Sequence, residues 1–520
     1  PAGTRGAVNA FDLNVLPQSV ISSVEILKDG ASSIYGSDAV AGVVNIITKR
    51  NQDGFTLDGF GSMPLKDGGE EFRAAATWGK EFSRGHIQAS VDYFRRNELA
   101  RGQRDYLNCG EDNYFTTTGG RADAVDPRNG QFKCTNLLWG HVWTYNYPVQ
   151  AMFNPVTGAT PQPPSTAADT VIPKTELFTF STAGAYQLGE NVEVYAEVLG
   201  NRRESYVNSS RQFWQFGFPE DWCGFGFGDP LAGGWSGCIL ISPTPYTDHS
   251  DSSQRVDYLR ALGGMRGDMP GDLLPGWKWD VYAQHSRNKG KYRAQRILQD
   301  AIDSQDDRGF SGVPCAGTTL PVSGRPCLDI NWTDPEFLRG NLTDAQRAFL
   351  FDFEEGLTVY TQTYVEAIFD GDVIDLPAGT VKAAIGATWR RDEINDTPGP
   401  IPRAGNAWGS SSAGIPAGSS RTTEVFGEVD LPLIKDAPMI QSFTVQGAAR
   451  FTDVSTFGSD VTYKVGANWQ VNDWLRFRGT YGTSFRAPAL FELFLADQTS
   501  FAQQRLIDPC ITWGRNLANG

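Results

Sequence analysis

Residues 380–391 read TVKAAIGATWRR, and residues 461–470 read VTYKVGANWQ. In the first, Val381, Ala383, Ile385, Ala387 and Trp389 fall on one face of an extended chain, with Lys382, Gly386, Thr388 and Arg390 on the other, because successive side chains of a strand alternate. The second repeats the scheme, with Val461, Tyr463, Val465, Ala467 and Trp469 against Lys464, Asn468 and Gln470. LRFRGTYGTSFR at 475–486 sets Leu475, Phe477, Gly479 and Tyr481 against Arg476, Arg478, Ser484 and Arg486. Such faces are expected where one side meets lipid and the other a polar lumen. A lysine or arginine facing mid-membrane lipid costs about 2–4 kcal/mol, so the charges choose the register. A soluble β-sandwich also alternates, but its strands typically run only about 5–6 residues.

Working outward, the same pattern predicts strands over 54–62, 71–82, 86–98, 175–188, 192–207, 254–266 and 277–297. It continues over 357–376, 380–394, 421–434, 442–454, 460–470 and 474–486. Short turns fall at 83–85, 189–191, 271–276, 377–379, 435–441 and 472–473. Between them lie the long connections 99–174, 208–253, 298–356 and 487 onward, and shorter ones near 64–70, 395–420 and 455–459. Alternation of tight turns with long loops is the pattern of an all-β transmembrane antiparallel barrel of bacterial type, tight turns in the periplasm and long loops outside. About 13 strands are expected, an odd number that does not close such a barrel.

Composition agrees. In 520 residues, Gly 57, Pro 29 and 12% aromatics favour strands and turns over helices. No run of about 18 apolar residues offers a membrane helix, and a barrel keeps average hydropathy low because its inner face and loops are polar. A net charge of −15 with no basic stripe argues against nucleic acid as a partner. The opening PAGTRGAVNAFDLN lacks the basic start and apolar core of a signal peptide, so an exported protein with this sequence is expected to have residues upstream.

Seven cysteines fall as Cys109/Cys134, Cys223/Cys238, Cys315/Cys327 and a lone Cys510, all in long connections. Six cysteines allow about 15 connectivities; local pairing is the simplest, and it implies an oxidising compartment. Free or metal-binding thiols are the alternative, but no CxxC and no histidine at ligand spacing supports a metal. His86, His141, His249 and His285 are scattered, and GxSxG, HExxH and phosphate-loop patterns are missing, so neither an enzyme nor a bound cofactor is expected. The acidic residues Asp303, Asp306 and Asp307 lack calcium-loop spacing and read as a solvated outer loop.

Residues 11–50 read FDLNVLPQSVISSVEILKDGASSIYGSDAVAGVVNIITKR. Val24 to Leu27 read as a strand, Asp29-Gly30 as a turn, Ala31 to Tyr35 as a short helical or tight segment, and Val43 to Thr48 as a buried strand introduced by Gly42. The spacing of Val24, Glu25, Ile26, Gly30, Ser32, Tyr35, Gly36, Ala41, Gly42 and Asn45 closely resembles the end of the plug of TonB-dependent receptors. A second block, Trp474 to Arg478 and then Ser484-Phe485-Arg486-Ala487-Pro488, resembles a barrel strand of the same family. Gly427-Glu428 to Leu433 and Gly386 to Arg390 are weaker echoes.

The resemblance implies a Gram-negative outer-membrane protein. Residues 1–52 would be the C-terminal part of a small α+β plug domain facing the periplasm, and residues 53–520 the first part of a 22-stranded barrel. It implies active import of a scarce nutrient, energised by TonB-ExbB-ExbD through an N-terminal box expected upstream. Truncation at both ends is therefore expected. A ferric siderophore is the first-ranked cargo, being the commonest in the family; sugar and cobalamin follow. A passive pore or a surface receptor or adhesin that transports nothing is the alternative. In the family, charge pairs help lock plug to barrel; Glu25 matches, Ser23 stands where an arginine is common, and by strand parity Glu366, Glu428 and Arg450 face the lumen. For ligand capture, aromatics concentrate in the first two long loops, with Trp139, Trp143, Tyr145 and Tyr147 in one and Phe213, Trp214, Phe216, Phe218, Trp222, Phe225, Phe227 and Trp235 in the other. Girdle or loop packing is the bland reading; a stacking surface at the mouth is the functional one. Arg202, Arg203 and Arg211 would add pull on an anionic ligand.

Overall fold

The computed structural model describes residues 15–27, 36, 39, 42–49, 52–104, 107, 141–144, 148–149, 167–211, 213, 241–245, 247, 250–270, 274, 276–306, 315–332, 334–338, 340–410 and 412–496. Its main feature is one antiparallel sheet of 13 strands. In chain order these are β3 (Gly54–Ser62), β4 (Glu71–Phe82), β5 (Gly85–Arg96), β10 (Lys174–Gln187), β11 (Val192–Val207), β13 (Ser252–Asp268) and β14 (Lys278–Ile297). Then come β15 (Phe351–Leu376), β16 (Gly379–Thr397), β17 (Ala417–Ala437), β18 (Ile440–Val454), β19 (Gly458–Asn472) and β20 (Leu475–Gly482). Each pairs with its neighbour in sequence, so the sheet is a pure meander with β3 and β20 as its edges.

Small elements sit beside it. β1 (Ile21–Leu27) and β2 (Val43–Thr48) form an N-terminal hairpin, and β6 (Leu99–Ala100) pairs with β9 (Thr170–Ile172). β7 (His141–Thr144), β8 (Pro148–Val149) and β12 (Ile241–Thr244) make a three-stranded sheet from the first two long connections.

The alternation predicted for the 380s and 460s holds. Ile385, Val461, Tyr463 and Val465 are exposed on one face, while Thr388 and Thr462 are buried on the other. Val381 departs from the scheme and is buried; it pairs with Ile374 beside a bulge at Asp372/Ile374 that locally shifts the register. The strand expected over 474–486 ends at Gly482. Ser484 and Arg486 therefore lie past the sheet, where Arg486 Nη2 bonds Glu492 Oε2 at 2.8 Å.

The inner face can be traced by register. Ser90, Ser181, Leu199, Arg260, Ser286, Gln362, Asp392 and Ser420 form one continuous cross-strand row from β5 to β17. The N-terminal segment touches this face at both ends: Ser19 Oγ lies 3.0 Å from Ser90 Oγ, and a Cβ on Gly36 would lie 3.5 Å from Glu424 Oε2. Glu424 shares the face of Ser420, four residues away. β5 and β17 are seven strand spacings apart, about 34 Å along a flat sheet. One segment thus touches this face at two strands seven spacings apart.

Among the described residues, a buried apolar core lies above the sheet. Phe213, Leu298, Ala301, Ile302, Trp332, Phe337, Phe349 and Leu350 form one buried cluster, built mainly from the 298–350 connection. That connection, expected to be a loop, contains helices Gln299–Asp306, Pro335–Leu338 and Asp344–Leu350. Asp303 thus stands on a helix rather than in a solvated loop, and accepts from Gln299 Nε2 at 2.6 Å.

Candidate functional site

Three places bear on function: the N-terminal segment against one face of the sheet, the polar side chains of that face, and the cap over one end. The segment is held by polar bonds. Gln88 Nε2 donates to Lys49 O at 2.6 Å, Lys49 Nζ donates to Ser19 O at 2.8 Å, and Arg73 donates to Gln18. Gly36 has φ +100, which L side chains rarely adopt, and it brings bare backbone beside Glu424. The expectation that Val43–Thr48 is buried is corrected: Val44, and Val24 and Ile26 on the paired strand, are exposed, because no described residue covers that face of the hairpin.

The lumen charges group differently from the cluster expected of Glu25, Glu366, Glu428 and Arg450. Arg450 does face inward and is buried, but its partner is Glu424, at 2.8 Å. Thr388 Oγ1 and Thr452 Oγ1 each donate to Glu424 at 3.0 Å, and the Arg450 guanidinium lies 4.2 Å from the centroid of the Phe426 ring. Glu25 instead accepts from Asn45 Nδ2 at 3.3 Å across the hairpin. Glu366 accepts from Tyr364, and Glu428 lies on the face of Glu424, four residues along the strand. Sequence parity did not single out Glu424, although it shares the parity of Glu428 and lies two pairs from Arg450's own partner, Phe426, on the neighbouring strand.

The cap is organised by polar anchors as well as by its core. Gln305 Nε2 donates to Leu328 O at 3.1 Å, while Gln305 Oε1 accepts from Ile330 N at 3.2 Å and Trp332 Nε1 at 3.4 Å. Asp300 Oδ2 accepts the amides of Val322 and Ser323. Cys315 and Cys327 form the expected disulfide, with Cα atoms 5.7 Å apart. Cys109, Cys134, Cys223, Cys238 and Cys510 lie outside the described residues.

Phe213 is fully buried and packs edge-on against Trp332, Phe337, Phe351 and Trp408, with centroids 5.8–6.4 Å apart. It is core, not a stacking surface. Arg211 lies 5.2 Å from the Trp408 ring centroid, so it helps clamp the second long connection to the cap. Trp139, Tyr145, Tyr147, Trp214, Phe216, Phe218, Trp222, Phe225, Phe227 and Trp235 lie outside the described residues, as do Gly30, Ser32, Tyr35 and Ala41. Trp143 is within β7, with nothing described of its side chain. Arg203 is on the inner face, whereas Arg202 faces outward and pairs with Asp257 at 2.5 Å. Among the described residues no group of acidic, histidine and cysteine side chains is arranged to hold a metal.

Against known proteins, the family described as "TonB dependent receptor-like, beta-barrel" matches residues 242–509. The ferric enterobactin receptor PfeA of Pseudomonas aeruginosa superimposes with a TM-score of 0.50 at 13% identity, over 92% of this chain and 51% of that one. The siderophore receptor PirA of Acinetobacter baumannii gives 0.48 at 15% identity, over 92% of this chain and 50% of that one. The vitamin B12 transporter BtuB of Vibrio cholerae is 38% identical over 66 residues, 12% of this chain and 11% of its own length. The chain thus spans about half the length of the solved structures it matches.

Proposed function

This chain belongs to the TonB-dependent receptor family, whose members are non-enzymatic proteins of the Gram-negative outer membrane, and from that premise we propose that it forms the wall and part of the plug of an active nutrient importer. The observation that carries the reading is the contact of one N-terminal segment with Ser90 on β5 and Glu424 on β17, both on the inner face. A passive pore has no use for such an obstruction. In this reading residues 1–52 are the end of the plug and residues 53–520 the first part of the barrel, with the long connections outside the cell. Energy comes from the TonB-ExbB-ExbD complex.

The cargo proposed first is a ferric siderophore; the names of the fold relatives point the same way, and cobalamin is second because of the similarity to a B12 transporter. Trp139, Trp143, Tyr145, Trp214, Trp222 and Trp235 supply flat surface for capture at the mouth, held by the pairs Cys109–Cys134 and Cys223–Cys238. The Glu424–Arg450 pair, rather than Glu25 with Arg450, is the charge that backs the plug. The test is uptake by cells that lack their own siderophore and B12 receptors and express the intact receptor, with and without TonB. Import of iron-loaded catecholate that stops without TonB, while binding persists, is expected. Uptake indifferent to TonB marks a passive pore, and binding without any uptake marks a receptor or adhesin.

A further inference from the structure

The outward face of β14 changes character abruptly along its length. Trp279, Val281 and Ala283 face out at its lower end, followed by His285 and then by Arg287, Lys289, Lys291 and Arg293 at successive outward positions. They are outward because Ser286, between them, lies in the inner row. Arg287 is eight residues above Trp279, about 27 Å along the strand and about 20 Å along the membrane normal at a tilt of about 40°. The apolar band of such a barrel is about 25 Å tall. With Trp279 at the lower edge of the band, Arg287 stands near its top and reaches up to the head groups, Lys289 stands at the boundary about 26 Å up, Lys291 at head-group level about 31 Å up, and Arg293 just above it.

The neighbouring strands extend the patch. Outward positions of β11, β13, β14 and β15 beside the ladder hold Arg202, Arg255 and the four β14 cations against Glu204, Asp257 and Glu355, an excess of three positive charges on a chain whose net charge is −15. The anions are already engaged: Asp257 by Arg202 and Arg255, Glu204 by Arg255 at 3.7 Å, and Glu355 by Arg293 at 3.4 Å. Among the described residues Arg287, Lys289 and Lys291 make no hydrogen bond or ion pair. A cavity of about 700 Å³ beside the ladder is lined by Lys174, Arg255, Lys291, Arg293 and Arg403 together with Glu176, Glu204 and Glu355, and Glu176 is engaged by Lys174 at 3.4 Å, so the cations there outnumber the anions by two.

We propose that this ladder and cavity bind the phosphate groups of outer-leaflet lipids, with Arg287, Lys289 and Lys291 as the primary ligands. Lipid is the occupant the geometry favours, because the cations continue an apolar, lipid-facing stripe directly and face away from the lumen where cargo would pass. Arginine and lysine are suited to phosphate oxygens, and their aliphatic stems lie along the apolar stripe while the charge reaches up. The inference rests on the proposed orientation, with the long connections outside the cell.

The experiment uses the intact receptor reconstituted into phosphatidylcholine vesicles doped with bisphosphorylated lipid A, and compares it with the triple variant R287Q/K289Q/K291Q. Lipid A retained on the purified protein, counted by native mass spectrometry, is expected to fall by about tenfold or more in the variant. The charge-keeping variant R287K/K289R/K291R is expected to retain it, which separates lost charge from lost fold. Dephosphorylated lipid A is expected to bind wild type as weakly as lipid A binds the triple variant, and free inorganic phosphate to compete poorly. Equal retention by wild type and triple variant, or equal retention of dephosphorylated lipid, overturns the proposal. An epitope inserted at the exposed Val322 and probed on intact cells tests the orientation separately: no surface signal overturns the orientation, and this proposal with it.

Discussion

Glu424 is nearly sealed from solvent, and its charge is met by Arg450 and two threonine hydroxyls in place of water. Removing one member of a buried pair leaves the other charge uncompensated, which costs more than the pair itself contributes. Arg450→Met should therefore lower barrel stability by about 3 kcal/mol, read as a lower denaturation midpoint in detergent, and Glu424→Gln, which leaves the buried Arg450 charge unmatched, should lower it by a similar amount. Equal midpoints for Arg450→Met and wild type would show that the pair is solvated through the lumen. Glu70 is the contrasting case at the surface. The Gly68 amide at 2.7 Å and the Asn97 side-chain amide at 3.1 Å stabilise its ionised form and hold its carboxyl below the usual range. A depressed folded pKa contributes stability that is present above the unfolded value and lost as pH falls through the folded one. Amide exchange at Gly68, corrected for the intrinsic rate, should thus be steady near neutrality and rise only below about pH 4. A rise already between pH 6 and 5 contradicts it.

At the scale of elements, the cap makes the sharpest claim. Phe213 comes from one long connection and fills the core of another, so Phe213→Ala should open a cavity worth about 3–5 kcal/mol locally. Because that core sits above the sheet, limited proteolysis should then cut within 298–350 while the strands stay intact; uniform loss of the whole barrel is the contrary result. Cys315→Ser with Cys327→Ser frees a short loop, 12 residues in separation, and should cost about 3 kcal/mol in the same region. The strands are legible in the amino-acid sequence: the run expected over 192–207 is β11 itself, because lipid on one side and water on the other penalise every slip of register. The cap helices are not, since each has only four to eight residues, too short for a helical period to show. One signal is present in the sequence: Thr343 and Gln346 form a capping box ahead of Phe349 and Leu350. Nothing local distinguishes Phe213 from an exposed loop aromatic. The Glu424–Arg450 pair depends on which strands lie together, and parity alone gives only the face.

At the scale of the whole molecule, apolar cohesion and polar contact are kept apart. The apolar core holds the cap, whereas the described hydrogen bonds between N-terminal segment and wall are polar: Ser19 with Ser90, Gln88 with Lys49, and Arg73 with Gln18. Each such bond contributes about 0.5–1.5 kcal/mol net because water replaces it when it breaks. Release of the segment breaks these bonds and exposes the buried Val20 and Ala39, but leaves the apolar core of the cap untouched. If transport requires that release, a covalent tie should block it while leaving capture at the mouth intact. The hydroxyl oxygens of Ser19 and Ser90 are 3.0 Å apart, so Ser19→Cys with Ser90→Cys places two sulfurs within reach of a bond. In cells expressing the intact receptor, oxidation of this pair should leave ligand binding unchanged, cut uptake to near the level without TonB, and reverse on adding reductant. Uptake undiminished in fully cross-linked protein would mean that cargo passes with this end of the segment still against β5, and any motion would then have to lie on the Glu424 side.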